Sequence, residues 1–460
     1  MFFFRKPKRV ILISLDTLRP DHLGLYGCQR ATSPNLDDFA KAATVFWNAH
    51  TPIPYTSACF PAIFYAQYPS KNPVKFTPPR PFKLESTPEF FTLLKKKGVK
   101  SAAFVSSIVL SQGCMEGIED FFDFFDDELP EHEANRPETL LRRADQTLKV
   151  AKNWIAQNRK ENFFLWIHLM DIHGPYTPPK EYENLFLNDQ YTNPKPKKLT
   201  KIIEDCSFPF EKIEEKDAFI PAYQVLWKGK DDCETDVETY TSRYDANIRF
   251  VDDQLGKFFQ FLRKLEIFND SLILIHSDHG EAFGEENIFF FHGLTTTPDQ
   301  IRIPLLTKYP KQKSTIEIYS PASNLDIIPT ISHHLGIPLE YRDGLPVDRR
   351  CRENFERIVF SQLPRSVAVI SYPFHLNFRI GTLGPGGGVE SEQEHVFKLT
   401  GELEEGMITE ERFLKEHTHY KLKTPPDQTT PDKPNDDFVR TAYQRLLKEF
   451  TYTPRPEDAS

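Results

Sequence analysis

Three short runs along the chain are apolar at almost every position, and each ends in polar residues. Val10–Leu15 leads into Asp16, Phe163–Ile167 into His168, Asp171 and His173, and Leu272–Ile275 into His276, Asp278 and His279. Runs of this length without a polar face suit central strands of a parallel sheet covered by helices on both sides. Ligands of such sheets bind beyond the carboxyl ends of the strands. Three strands that deliver acids and histidines to one edge therefore predict a site there.

Helical spacing separates the runs. Ser33-Pro34 before Leu36, Phe39 and Ala40 predicts a helix with Ser33 at the cap and Pro34 in its first turn. Ile248, Val251, Leu255, Phe258, Phe259, Leu262 and Leu265 mark one face of a helix over Tyr244–Leu265, and Leu140–Ile155 reads the same way. The alternation predicts an α/β fold, a doubly wound and mostly parallel central sheet flanked by helices. Residues 180–235 break the pattern with Asn, Lys, Pro and Glu. They read as an irregular insertion, either a substrate-side cap near the strand ends or a disordered segment. After Gly336 the rhythm weakens. Ser371–Ile380 and Glu394–Thr400 read as short antiparallel strands around a Gly-rich turn, and Asp437–Phe450 as an amphipathic helix. The expected division is an α/β domain over 8–345 and a small C-terminal antiparallel subdomain with a tail over 346–460.

Composition narrows the class. The 460 residues are 39% hydrophobic and include 39 Phe, enough for one large core and a smaller companion. The net charge of −9 argues against nucleic acid as a partner, which needs a basic face. Six cysteines form no CxxC pair, which excludes a thiolate zinc site of the usual spacing and predicts a reduced, cytoplasmic protein. No signal-peptide pattern and no transmembrane-length apolar run are present. Phe2–Phe4 beside Arg5 and Lys6 forms either an ordinary N-terminal tail or a contact for a membrane surface.

The polar residues at the strand ends suggest specific chemistry. Asp16 just past a buried strand suits a hard-metal ligand, or simply ends the strand. In Ser277-Asp278-His279-Gly280-Glu281, Asp278 and His279 can face one ion if the chain turns at Gly280. Thr56, between a Pro-rich loop and a helical run, is either a metal-activated nucleophile at a helix N-terminus or an ordinary cap. His168, His173 and His292 are candidates to bind the non-bridging oxygens of a sulfuryl or phosphoryl group, or to protonate a leaving oxygen. His276, His333 and His334 read as structural.

Taken in order, these segments resemble the sulfatase family of the alkaline-phosphatase superfamily. Asp16-Thr-Leu-Arg-Pro-Asp-His-Leu-Gly24 and Ser33-Pro-Asn-Leu-Asp37 are similar to its opening strand and first helix. Tyr55-Thr56 through Tyr68-Pro69 resembles its nucleophile segment. His173-Gly-Pro175-Tyr176 resembles the Pro-His-x-Pro-Tyr signature, and Ser277–Glu281, His292-Gly293 and Ile301–Leu306 resemble the second metal motif and its downstream strand. Asn324–Thr330 and Leu335–Pro338 close a match that runs in order over about 8–345. The resemblance implies Asp16, Asp278 and His279 as ligands of one divalent ion (Ca, Mg, Mn or Zn), with Thr17 a weaker ligand where many members carry a second carboxylate. It implies Thr56 as nucleophile, and His173 and His292 as groups that hold the transferred moiety or assist departure. His375 and His395 are the candidates for a second ion.

Departures from the family pattern bear on the chemistry. Sulfatases typically make a formylglycine from Cys or Ser in Cys-x-Pro-x-Arg, whereas Thr56 cannot form that aldehyde, and Ala58 and Phe60 occupy the Pro and Arg positions. Cys59-Phe-Pro61 mimics the motif three residues late, with Ile63 in place of Arg. Cys59, Ser57 or no nucleophile at all stay open beside Thr56. A Thr ester must be hydrolysed by water or passed to an acceptor. The expectation is a metal-dependent hydrolase of a sulfate or phosphate mono- or diester on a small-molecule, carbohydrate or lipid substrate. A phosphoryl transferase and a catalytically silent metal-binding protein are the alternatives.

Overall fold

A computed structural model describes residues 7–74, 81–191, 197–203, 218–229, 232–287, 289–340, 342–347, 353–363, 366–379 and 410–450. The central sheet contains β1 (Arg9–Leu15), β2 (Thr44–His50), β3 (Lys100–Phe104), β4 (Phe124–Asp126), β5 (Phe163–Leu169), β6 (Ser271–Ser277), β7 (Arg302–Lys308) and β8 (Ile316–Ile318). Their order is β8-β2-β7-β6-β1-β5-β3-β4, with the short Ala322–Ser323 strand also on β2. β7 runs against both neighbours and every other pairing is parallel. The doubly wound, mostly parallel α/β architecture is thus present.

Residue parity along the strands explains the layers. Side chains alternate across a strand, so Ile11, Ile13, Leu165, Ile167, Ile273 and Ile275 join one core, and Val10, Leu12, Phe164, Trp166, Leu272 and Leu274 join the other. The first core is covered by α1 (Pro34–Ala40), α4 (Ala144–Asn158) and α5 (Val237–Lys264). The second is covered by α2 (Thr56–Tyr65), α3 (Glu89–Lys96) and α6 (Ile327–Leu335). At the carboxyl ends the second face turns polar in register, where Ser14 pairs with His168 on one side and His276 on the other. His276 is satisfied there: Nδ1–H donates to Ser277 O at 2.9 Å and Nε2 accepts from Ser14 Oγ at 2.7 Å.

Several helix boundaries differ from the sequence expectation, each for a tertiary reason. α4 starts at Ala144 because Asp171 Oδ1 accepts the Ala144 N–H at 3.1 Å, while Leu140–Leu141 pairs with Glu131–His132. α5 starts at Val237, capped by the Asp236 carboxylate on Glu238 N–H. Ser33 does not cap α1, since its hydroxyl binds Gly24 N–H and Asp37 instead. The cap comes from Asp252 of α5, which accepts from Asn35 N, Leu36 N and Asn35 Nδ2 at 2.8–2.9 Å and is fully buried. Asp252→Ala should therefore lower unfolding free energy by about 2–4 kcal/mol, read by denaturant melts, because it strands buried donors of a helix end. A loss under about 0.5 kcal/mol, the scale of an ordinary surface change, would mean that the capping contributes nothing.

The C-terminal sheet is antiparallel: β9 (Ile358–Leu363), β10 (Ser366–Ser371), β11 (Phe374–Arg379) and β12 (Thr418–Lys421). α7 (Asp436–Phe450) packs Val439, Ala442, Tyr443 and Leu446 onto Val367, Val369, Leu376 and Phe378. The hairpin forms with β9 and β10, strands not foreseen in the sequence. The strand expected at Glu394–Thr400 lies outside the described residues. Among the described residues, no helix is long and apolar enough to cross a membrane, and Cys28, Cys59, Cys114 and Cys233 carry free thiols.

Candidate active site

The three central strands end level with one another, Leu15 beside Leu169 and Ser277. The next residues therefore meet above one edge. Asp16, His168 and Asp278 each place a ligand atom within 4.8 Å of the others, all fully buried. His168 Nε2 lies 3.5 Å from Asp16 Oδ2, and His279 Nε2 lies 3.5 Å from Asp278 Oδ2 and 3.9 Å from Asp16 Oδ1. His168 thus sits within the candidate metal cluster, on the strand and not in the loop after it.

Backbone geometry presents these groups. Thr17 adopts φ 56°, a left-handed conformation costly for a β-branched residue. Its N–H then reaches Asp278 Oδ1 at 3.3 Å, alongside His279 N at 2.9 Å. Gly280 is required where the chain turns, because a Cβ there would meet Asp299 O at 2.0 Å. His279 Nδ1–H donates to Gly280 O at 2.9 Å, which leaves Nε2 as a lone-pair donor facing the acids.

Burial and mutual charge dominate the titration behaviour. Burial raises the Asp278 carboxyl, and the nearby Asp16 charge raises it further. Burial also opposes ionisation of Asp16, but the His168 ring and the charges of His173 and His279 hold its carboxyl below the ordinary range. Burial works against protonation of His279, and the two carboxylates overcome it and push this group up. Asp16 Oδ1, Thr17 Oγ1, Asp278 Oδ2 and Asn324 Oδ1 are buried without a hydrogen-bond partner. Unpaired buried oxygens of this kind are costly. A hard divalent cation resolves the cost, so the donor set fits one: carboxylate, hydroxyl and amide oxygens with an imidazole at the border.

Thr56 opens α2 and is 7% exposed, with Tyr55 in the capping position. Its hydroxyl donates to His279 Nε2 at 3.0 Å. The alternatives make other contacts or none. Cys59 Sγ, one turn on, donates to Asp278 O at 3.3 Å, and burial, then the Asp278 charge, push its thiol well up. Ser57 Oγ is buried without a partner. Phe60 turns into the core against the His168 and Trp166 rings.

His173 and His292 stand together, ring centres 5.3 Å apart, and the His292 ring is 4.2 Å from that of His279. His173 Nδ1–H donates to Gly174 O at 2.6 Å, and burial lowers its pKa. Glu281 was quoted only as part of a motif in the sequence, yet it organises this corner. Its Oε1 contacts His292 Nδ1 at 3.1 Å, its Oε2 accepts from Tyr176 OH at 3.2 Å, and burial pushes its carboxyl up to about 7. Asn324 was also missed as a site residue. Its Nδ2 ties together Ser277 O and Asp278 O at 3.1 and 3.2 Å. Its place in an Asn-Leu-Asp run at the start of a helix was the available signal.

The remaining histidines lie elsewhere. His333 and His334 are in α6. His375 is on β11, donates from Nε2 to Thr296 O at 2.9 Å, and is pushed down to about 4 by burial. His395, its expected companion, lies outside the described residues.

A buried acid–histidine cluster at the carboxyl edge of a mostly parallel, helix-flanked sheet defines the alkaline-phosphatase-like class of α/β proteins. The sulfatase family model matches residues 8–337, and the chain belongs to the sulfatase family. It is similar to choline-sulfatase of Rhizobium meliloti, 25% identical over 205 residues, which cover 43% of this chain and 37% of that protein. It is similar to phosphoethanolamine transferase EptA of Helicobacter pylori, 24% identical over 352 residues, 74% of this chain and 55% of that protein. The chain thus spans 37% and 55% of the length of these curated relatives. A protein solved with its substrate D-glucosamine-2-N,6-O-disulfate shares the fold with TM-score 0.59 and 16% identity, covering 86% of this chain and 97% of that one.

Proposed function

We propose that the chain is a metal-dependent hydrolase of sulfate or phosphate esters with Thr56 as nucleophile. The observation that carries this reading is the Thr56 hydroxyl at the N-terminus of α2, 3.0 Å from His279 Nε2 beside the orphaned oxygens of Asp16 and Asp278. Asp16, Asp278 and His279, with Thr17, His168 and Asn324 beside them, would hold a divalent ion, which when bound supplies Lewis-acid polarisation of the ester and lowers the hydroxyl pKa. The helix N-terminus favours the anionic substrate. Thr56 Oγ1 gives up its proton to solvent and bonds to sulfur or phosphorus as the bond to the leaving oxygen breaks. His173 and His292 hold the non-bridging oxygens or deliver the proton that the leaving alcohol takes up, and Glu281 orients His292. Water then cleaves the Thr ester and regenerates the hydroxyl. A transferase differs only in that an alcohol replaces this water, and the relation to a phosphoethanolamine transferase keeps it as the second reading.

The test is turnover of matched 4-nitrophenyl sulfate, phosphate monoester, phosphate diester and phosphonate, before and after chelation and re-addition of Ca, Mg, Mn or Zn. At least one ester should be cleaved, with activity lost on chelation and restored by one ion. Turnover that survives full chelation would remove the metal from the reading.

A further inference from the structure

The described part of the 180–235 insertion returns to the active site at Gln224, three residues beyond the Phe219–Pro221 strand and fully buried. Neither its Oε1 nor its Nε2 has a hydrogen-bond partner. A buried primary amide with both ends unpaired leaves two donors and an acceptor unused, which is costly unless something else fills them. The placement is built rather than loose. A Cβ at Gly174, the residue after His173, would lie 1.6 Å from Gln224 Oε1, so the amide packs directly on the backbone of the His173 loop and a side chain there would displace it. Asn135 Nδ2 donates to Tyr223 O at 2.8 Å and Val225 O at 2.7 Å, clamping the backbone on both sides of Gln224. Arg136 follows, with its guanidinium 4.3 Å from the centre of the Tyr223 ring and held by Glu133 at 2.7 and 2.8 Å. The Tyr223 ring lies 6.3 Å from Phe291, whose ring stacks on His292. One wall from two segments therefore touches the surroundings of both His173 and His292.

We propose that Gln224 and Arg136 form the leaving-group subsite, and that it takes a polyhydroxylated group, a sugar, rather than a choline- or ethanolamine-type cation. The proposal rests on the ester-hydrolase reading above. A carboxamide offers donor and acceptor side by side, which matches hydroxyl groups that both give and accept hydrogen bonds. A quaternary ammonium offers neither. It needs a carboxylate or an open aromatic face. Here Glu133 is already engaged by Arg136, and the guanidinium covers one face of Tyr223.

The experiment compares kcat/KM for glucose 6-sulfate and 6-phosphate, choline sulfate, phosphocholine and the 4-nitrophenyl esters. It uses the full chain and Gln224→Leu, Gln224→Glu and Arg136→Met, each checked by thermal melting. The hexose ester should exceed the choline ester by at least about tenfold. Gln224→Leu and Arg136→Met should each lower the hexose-to-nitrophenyl ratio by about tenfold or more, mainly through KM, with Gln224→Glu between them and wild type. Calorimetric binding of glucose 6-sulfate gives the same ranking without turnover. Preference for the choline ester, or hexose binding within twofold of wild type in both Leu and Met variants, overturns the proposal. Failure of the hydrolase reading looks different: no nitrophenyl ester is turned over while hexose binding still depends on Gln224.

Discussion

Thr56→Ala is expected to lower kcat for the preferred ester by on the order of 10³–10⁴-fold or more, with the melting temperature little changed. Loss of a covalent nucleophile that acts with its partners as one unit removes most of the rate advantage. The structural cost is small because Tyr55, not Thr56, holds the capping position of α2, and only hydroxyl contacts to the site groups His279 and Asp278 disappear. Thr56→Ser retains the hydroxyl and should keep part of the activity. Cys59→Ala should stay near wild type, since Cys59 Sγ is committed to the Asp278 carbonyl. Steady-state kinetics on the four proteins decide the matter. Full activity in Thr56→Ala with collapse in Cys59→Ala would place the nucleophile one turn further along the helix.

Asp278→Asn should abolish metal binding and turnover, yet leave the metal-free protein at least as stable as metal-free wild type. Asp16 and Asp278 are buried together, and each disfavours charge on the other. Without a cation their repulsion opposes folding. A bound ion reverses the balance and stabilises wild type by about 2.7 kcal/mol at one hundred times its dissociation constant. Melting curves with and without chelator should therefore separate for wild type and coincide for Asp278→Asn. Elemental analysis should find no ion in the variant. A chelator-insensitive wild type, or a variant much less stable than metal-free wild type, would contradict this account.

The fold was legible because the strands are apolar on both faces. Val10–Leu15 and Leu272–Ile275 have no helical reading short enough to compete, and their parity alone separates the two cores. The positions of Asp16, Asp278 and His279 followed, since each comes directly after such a strand. What the sequence could not disclose depends on distant segments. Asp252 caps a helix 217 residues away, Asn324 reaches back to Ser277 and Asp278 from another helix start, and Gln224 meets Gly174 from within a stretch that shows no periodicity. The strands β9 and β10 were not legible because Ile358–Leu363 and Ser366–Ser371 carry serine and glutamine among the apolar residues. Helix starts moved for the same reason: side-chain caps such as Asp171 on Ala144 come from loops that sequence spacing does not connect.

The position of β1 bears on how the chain acquires its shape during synthesis. β1 is flanked by β5 and β6, which follow it in the chain and end at residues 169 and 277. β1 therefore has no partner in the sheet until residue 169 has been made, and keeps one open edge until residue 277. Contacts of such sequence separation form slowly, and open strand edges of this kind invite self-association. The Asp16 and Asp278 carboxylates cannot meet before that point either. The proposed ligands Asp16 and Asp278 thus come together late in folding, and a chain cut ahead of Asp278 would leave Asp16 without its partner acid and β1 with an open, apolar edge.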